Sequence, residues 1–233
     1  MLSIAAVSAG PPFVTDDPEP PPSRTWEINL PFIIERTPGE TQMEAPLFDF
    51  NYGLPNIQLK LEIPIEVLHE DGNETQAGAG DMLLGMKWRF LNDARSQFQL
   101  GTYPQVLVPT GDHARGLGEG SPSVLLPIVA QKNWEKWTVY GNVGFWWQTA
   151  AQTQNYFYAG AVLEREVSER LTLGVELFGN SPKERAARSD IAFNVGGTCK
   201  IKDHLNLLFS GGGRDISGDI NAMGYVGLQI LTK

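Results

Sequence analysis

Apolar and polar residues alternate with a period of two along most of this chain, and the segment 136–170 shows the pattern most clearly. Because successive side chains of a β-strand point to opposite faces, this alternation predicts strands with one apolar and one polar face. The apolar positions in its two runs are Trp137, Val139, Val143, Phe145 and Trp147, then Phe157, Ala159, Ala161 and Leu163. Each run is about ten residues long with aromatic residues near its ends, which is typical of a strand that crosses a bilayer.

The same pattern recurs along the rest of the chain and predicts about twelve strands. The predicted strands are 25–35, 45–53, 56–69, 81–91, 97–109, 122–131, 136–149, 155–167, 170–180, 189–201, 204–213 and 221–232. No run keeps the 3.6-residue period of a helix. The expected fold class is therefore all-β: a transmembrane, up-and-down antiparallel β-barrel.

The connections between the predicted strands alternate between long polar segments and short turns. The long ones include 36–44, 70–80, 110–121 and 214–220, and 54–55 is one of the short ones. Long loops at one end of a barrel and short turns at the other are typical of outer-membrane barrels, whose short turns face the periplasm.

Aromatic residues are predicted to gather at both ends of the barrel. Those near the short turns are Trp26, Tyr52, Trp88, Phe90, Trp134 and Trp137, and those near the long loops are Trp146, Trp147, Tyr156, Phe157 and Phe178. Aromatic rings favour the two lipid–water interfaces of a membrane. A soluble lipid-binding barrel is the alternative, but its large rings would be expected at mid-strand.

Charge and composition narrow the function. The net charge of −9 argues against a nucleic-acid partner and against a polybasic membrane anchor. Cys199 is the single cysteine, which excludes an intramolecular disulfide and a cysteine-based metal cluster. His69, His113 and His204 are far apart in sequence, so we predict no metal site and no cofactor.

The chain divides into three predicted parts. Residues 1–9 resemble the remnant of a signal peptide, with a small-residue cleavage pattern at 7–9. Residues 10–24 are rich in proline and predict an extended periplasmic arm, either a linker or a segment against the near end of the barrel. Residues 25–233 form the predicted barrel.

Five segments resemble a family of bacterial outer-membrane barrels identified as transporters of the MetA-pathway of phenol degradation. They are 12–20, 48–53, 80–90, 104–112 and 173–178, with Pro-Thr-Gly-Asp at 109–112 among the more specific motifs. The resemblance spans nearly the whole chain. It implies a barrel in the outer membrane of a Gram-negative bacterium that takes up aromatic or other hydrophobic small molecules.

Charged residues on the polar faces of the strands are the candidate pore lining, because a lysine or arginine facing lipid costs about 2–4 kcal/mol near the midplane. By parity they are Glu27, Asp49, Lys60, Glu62, Glu66, Lys87, Arg89, Glu164, Glu176 and Lys200. They could line a selective pore, or they could pair across the lumen and seal it.

Together these features predict a channel for passive uptake of small hydrophobic or aromatic molecules. The aromatic residues predicted to receive a solute at the outer mouth are Trp146, Trp147, Tyr156 and Phe178. The predicted partners are the lipid bilayer, a small-molecule solute and, transiently, the barrel assembly machinery. A sealed structural barrel is one alternative.

A barrel-embedded lipid hydrolase is the other alternative, because such enzymes place an activated serine beside a histidine. The nearest set here is Asp112 and His113 with Ser121 and Ser123. It lies in a glycine-rich loop with nothing obvious to hold it rigid, so we predict no catalytic residue and no enzyme.

Overall fold

The computed structural model of the chain describes residues 10–150, 153–184, 188–216 and 219–232. The predicted signal-peptide remnant at 1–9 lies outside the described residues. The described part is almost entirely β-structure, with one short 3-10 helix at His113–Arg115. No helix in these ranges has the length and hydropathy needed to cross a bilayer.

Fourteen strand segments follow one another along the chain. They are β1 Trp26–Thr37, β2 Glu40–Leu54, β3 Ile57–Glu70, β4 Gln76–Ala79, β5 Met82–Asp93, β6 Phe98–Thr102, β7 Gln105–Val108, β8 Ser123–Trp134, β9 Trp137–Gln148, β10 Tyr156–Ser168, β11 Leu171–Asn180, β12 Asp190–Lys202, β13 Leu205–Ile216 and β14 Asp219–Leu231.

These segments form a closed antiparallel barrel of twelve strands. β4 and β5 lie end to end along β3, and β6 and β7 lie end to end between β5 and β8, so each pair fills one position in the wall. Pro104 lies in the second break, where a residue without an N–H cannot continue the ladder. β14 pairs with β1 and closes the ring. The predicted all-β, up-and-down barrel of about twelve strands is confirmed.

Two predicted long loops are instead continuous strand and tight turn. β1 continues to Thr37 and β2 begins at Glu40, so residues 38–39 alone connect them, with Gly39 at a φ of 84°. β13 and β14 likewise extend into the segment 214–220. Both segments are rich in polar residues, a composition that predicts loops. Polar side chains of a barrel strand can also face the lumen, as those of Glu44 and Arg214 do, so the strands continue through these segments.

The burial pattern is the reverse of that in a soluble protein. Large apolar side chains on alternate positions point outward, such as Val143 at 60% exposure and Phe157 at 61%. Charged side chains such as Lys60, Glu62 and Glu176 are buried inside. Because an apolar outer face stabilises a barrel only in contact with lipid, this band is the membrane face, and a barrel of this kind belongs in the bacterial outer membrane.

Candidate functional site

Residues 10–22, which we call the arm, lie inside the barrel. The backbone N–H of Thr15 donates to Glu176 Oε1 on β11 at 2.5 Å, and Ser210 Oγ on β13 donates to the Pro12 carbonyl at 2.6 Å. On the other side of the ring, Lys87 Nζ on β5 lies 2.7 Å from Asp16 Oδ1. Only a segment within the lumen can reach all of these strands.

This position differs from the linker or near-end segment that the proline content suggested. An extended, proline-rich chain leaves backbone polar groups without ladder partners. The lumen side chains supply those partners, so the arm is stabilised there. The sequence of the arm does not by itself indicate a position inside the lumen, because the partners are polar residues of distant strands.

Two glycines of the wall make room for the arm at its ends. A Cβ at Gly53 would lie 2.3 Å from the Pro22 carbonyl oxygen, and one at Gly174 would lie 3.0 Å from the Phe13 ring. Arg24 N–H also donates to the Gly53 carbonyl at 2.7 Å. The arm therefore passes close to the end of β2, on the short-turn side that we call the inner end of the barrel.

The tip of the arm is held by apolar contacts. Phe13 is buried in a cluster with Tyr140 and Val162. Val14 packs against a second buried cluster, which consists of Leu125, Trp146, Tyr156 and Tyr158. Truncating a buried phenylalanine costs about 3–5 kcal/mol, so these contacts fix the tip at the middle of the lumen.

Acidic residues of the arm bind the inner half of the wall. Lys87 lies between Asp16 at 2.7 Å and Asp17 at 3.7 Å. Glu19 Oε1 accepts hydrogen bonds from the Gln99 and Gln131 side-chain amides. Burial raises the pKa of Asp16 above its ordinary value, and the neighbouring Lys87 ammonium acts in the opposite direction.

A second ion-paired network lies in the wall itself. Lys60 Nζ on β3 is 2.6 Å from Glu62 Oε1 and 3.5 Å from Asp49 Oδ1 on β2. Asp49 also accepts hydrogen bonds from Asn29 at 2.9 Å and from Asn51 at 2.8 Å. The carboxylates and the lysine satisfy one another, which is what permits these charges to be buried.

Two cavities adjoin the arm, an inner one and an outer one. The inner cavity has a volume of about 430 Å³, including space open to solvent, and its lining is polar. The outer cavity has about 920 Å³ of space on the same measure, and its lining mixes apolar and polar residues. Its lining includes Phe13, Val14, Ile33, Glu35, Gln42, Glu44, Glu66, Tyr158, Phe178, Lys183, Arg214, Met223 and Tyr225.

The structure brings most of the predicted lumen charges into these cavities or their walls. Glu27, Lys60 and Lys87 line the inner cavity, and Glu66 lines the outer one. Asp49 and Glu62 belong to the wall network, and Glu176 holds the arm. Glu164 lies beside Gly174, next to the Phe13 ring.

Arg89 and Lys200 lie nearer the inner rim. Arg89 donates to Gln99 Oε1 at 2.9 Å and to Asn56 Oδ1 at 3.3 Å. Lys200 is partly exposed at the β12–β13 turn, where its ammonium lies 2.9 Å from Asp203. The role of the predicted residues in lining a pore remains a prediction.

The predicted outer-mouth aromatics divide between the two faces of the wall. Trp146, at 1% exposure, stacks on Tyr156 with ring centroids 6.1 Å apart. Phe178 lies beneath the Arg214 guanidinium, with 5.3 Å from its carbon to the ring centroid. Trp147 is 58% exposed on the outer face. The structure thus groups Trp146, Tyr156 and Phe178, while Trp147 points away from them.

Several lumen residues were missed in the sequence analysis. Arg214 Nη1 lies 3.4 Å from the Glu35 carboxylate, and Glu44 is buried against the outer cavity. Parity from Glu27 along β1 would have placed Glu35 in the lumen. Glu44 and Arg214 fall in the segments 36–44 and 214–220, which the sequence predicts to be loops, so strand parity assigns them no face.

The candidate hydrolase set does not form a catalytic arrangement. His113 Nδ1 lies 3.0 Å from the Gly118 carbonyl oxygen rather than beside a serine. The His113 ring packs at Gly120, where an added Cβ would lie 2.6 Å from its Cγ. A serine nucleophile needs hydrogen-bond contact with its base.

Among the described residues, no group of three or more His, Cys, Asp or Glu side chains is arranged to hold a metal ion.

Three solved structures with a similar fold are an outer membrane channel, a porin and a hydrocarbon channel. An outer membrane channel from Pseudomonas putida F1 matches with a TM-score of 0.78 at 15% identity, over 92% of this chain and 97% of that one. The KdgM porin in complex with disordered oligogalacturonate has a TM-score of 0.57 at 12% identity, over 87% and 98%. The CymD monoaromatic hydrocarbon channel has a TM-score of 0.52 at 6% identity, over 91% and 89%.

Sequence comparison identifies the family. Curated protein sequences give no significant match. The family model described as "Putative MetA-pathway of phenol degradation" matches residues 6–219, which is most of the chain. The chain therefore belongs to this family, as the five sequence segments predicted.

Proposed function

We propose that this barrel is an outer-membrane channel for passive uptake of small molecules with an apolar or aromatic body. The observation that carries the proposal is the outer cavity, because open space lined by apolar and polar side chains is not the filled core of a structural barrel. Apolar and aromatic side chains with a few polar groups are also the usual lining of a small-molecule site.

The lining of the outer cavity favours solutes of mixed character. Phe13, Tyr158 and Phe178 offer ring surface to an apolar body, and Glu35 and Arg214 offer charge on the neighbouring wall. Two structural relatives point in the same two directions, since one is a monoaromatic hydrocarbon channel and the other is a porin in complex with an oligogalacturonate. An apolar body with a polar group satisfies both parts of the lining.

The seated arm favours the sealed barrel as a second candidate. It occupies the middle of the lumen and binds strands on several sides of the ring. In the proposed channel, solute passes beside the arm or as the arm shifts, whereas in a sealed barrel nothing passes.

Solute flux into proteoliposomes decides between the two. We expect liposomes containing the protein to swell faster in phenol-sized solutes than protein-free liposomes do. Met223→Trp, which fills part of the outer cavity, should slow the flux, because Met223 lines that cavity. The matched control is Ala222→Trp, at an exposed neighbouring position of β14.

Equal swelling with and without the protein would favour the sealed barrel. If Met223→Trp and Ala222→Trp slow the flux equally, the solute does not pass through the outer cavity. Slowing by Met223→Trp alone supports the channel.

A further inference from the structure

Two carboxylates of the outer cavity face each other on adjacent strands. Glu44 on β2 and Glu66 on β3 are register partners, and both line the cavity. Side chains that are directly opposite on an antiparallel pair lie about 4.5–5.5 Å apart at Cβ, and like charges there are destabilising. The pair therefore needs an explanation that packing alone does not give.

The pair is also short of hydrogen-bond donors. Glu44 is only 7% exposed, and no described residue forms an ion pair or a side-chain hydrogen bond with it. The Gln42 side chain on β2 is hydrogen-bonded to Glu66, but Glu66 Oε2 is shielded from solvent and has no hydrogen-bond partner, and the same holds for Gln42 Oε1. Three acceptor groups thus converge on one side of the cavity, where a buried acceptor without a donor costs free energy.

A β-bulge places Glu44 in the lumen. The β2–β3 register shifts between Glu44 and Leu47, so both residues point inward although three positions separate them. Without the bulge, the inward parity of Leu47 and Asp49 would extend to residue 45, and Glu44 would face outward. Bulges of this kind re-aim single side chains.

The opposite wall of the outer cavity is aromatic. β10 and β11 lie across the ring from β2 and β3, and they contribute Tyr158 and Phe178 to the cavity. The cationic side chains of the cavity are engaged on other walls, with Arg214 against Glu35 and Lys183 over the Tyr156 ring at 5.2 Å. A molecule across this cavity would have one end at carboxylates and the other at rings.

We propose that the outer cavity binds small organic ammonium ions that carry an apolar or aromatic body. The ammonium lies between Glu44 and Glu66 and donates to their carboxylates, and the body packs on Tyr158 and Phe178. A cation between two facing carboxylates removes their repulsion and supplies the missing donors. This inference deepens the proposed channel function and rests on it for transport, but binding is independent of transport.

Three probes with one phenyl body test the charge requirement. They are 2-phenylethylammonium, 2-phenylethanol and 3-phenylpropanoate, which are cationic, neutral and anionic at neutral pH. Influx of the cation through the wild-type protein should exceed that of the anion roughly tenfold, the lower end of what a focused field gives to association rates. The neutral probe should fall between them.

The variant Glu44→Gln/Glu66→Gln should abolish that preference while the barrel stays folded, because it removes like charges without changing side-chain shape. The matched control, Asp71→Asn/Glu74→Gln, removes two exposed carboxylates of the β3–β4 loop and should keep the preference. Heat-modifiable migration in gels confirms folding of each variant.

A preference that is absent from the wild type, or that survives in Glu44→Gln/Glu66→Gln, would overturn the inference. Influx of all three probes that is no faster than into protein-free liposomes would instead contradict the channel function. Calorimetric titration of detergent-purified protein with 2-phenylethylammonium then decides the site: binding lost in the double variant supports it, and no binding to the wild type overturns it.

Discussion

The inner and outer halves of the lumen treat buried charge differently. In the inner half, each of two lysines lies between carboxylates. Lys60 pairs with carboxylates of the wall, and Lys87 pairs with carboxylates of the arm. In the outer half, Arg214 pairs with Glu35, but Glu44 and Glu66 face each other, and no described residue forms an ion pair with either. In the inner half, buried charges are neutralised by side chains of the wall and the arm. In the outer half, the carboxylates of Glu44 and Glu66 have no cationic side chain paired with them in the part of the chain that the structure describes.

Removal of the arm is the largest test of this contrast. Deletion of residues 10–22 should raise single-channel conductance at least several-fold, because the inner and outer cavities then merge into one lumen of a twelve-strand barrel. Planar-bilayer recording measures the change. A synthetic peptide of residues 10–22, added from the inner side, should restore the low conductance. Unchanged conductance after the deletion would show that the arm does not limit the path.

Loss of the Lys87 charge should have the next largest effect. Lys87→Met leaves Asp16 buried without its cation, and removing one partner of a buried pair costs about 3–5 kcal/mol. We expect the Lys87→Met channel to open more often than the wild-type channel in planar-bilayer recordings. Lys87→Met/Asp16→Asn should largely restore the wild-type conductance, since the buried Asp16 charge is removed and Asp17 is partly exposed to water. The exposed Arg115→Met is the control, and equal opening by that variant would rule out a local cause.

The adjacent tryptophans of β9 separate the lumen from the membrane face. Trp146→Ala should cost about 3–5 kcal/mol of unfolding free energy, because Trp146 is buried against Tyr156. Trp147→Ala should change it by less than about 1 kcal/mol and leave conductance unaltered, because Trp147 points outward. Thermal unfolding in detergent compares the two, and a larger loss for Trp147→Ala would contradict the assignment of faces.

Acid should produce the smallest change. Burial raises the pKa of Asp16, so the seated arm holds this proton more tightly than a released arm does. Seating is therefore most favoured below the ordinary pKa of 3.8 and weakens as the pH rises through the raised value. Conductance should fall roughly two- to threefold from pH 7 to pH 4, a modest change because Lys87 opposes the burial effect. Asp16→Asn should remove this pH dependence. A rise in conductance on acidification would contradict the prediction.

The fold could be predicted from the sequence because the alternation of apolar and polar residues reflects a physical constraint on every strand of the wall. The same alternation already places Trp147 with Val143 and Phe145 on the membrane face. The outer-mouth prediction grouped Trp146 and Trp147 by height along the barrel instead of by face. Local pattern is thus sufficient for the wall and for the orientation of its regular strands.

The site was harder to predict because it depends on contacts that no local pattern contains. The position of Glu44 follows from a bulge, which shifts parity without a clear sequence mark. The arm is seated by partners on β5, β11 and β13, far away in sequence. Such pairings become visible only when the ring is closed.

The seam between β1 and β14 has a consequence for assembly. Thr232 N–H donates to the Trp26 carbonyl at 2.9 Å, so the first and last strands complete the ring together. The arm directly precedes β1 and ends up encircled by all the others. During biogenesis it must either be drawn in before the final strand zips into place or thread through the periplasmic mouth afterwards. The order of these two events thus decides whether the lumen of a newly inserted barrel already contains the arm or is still empty.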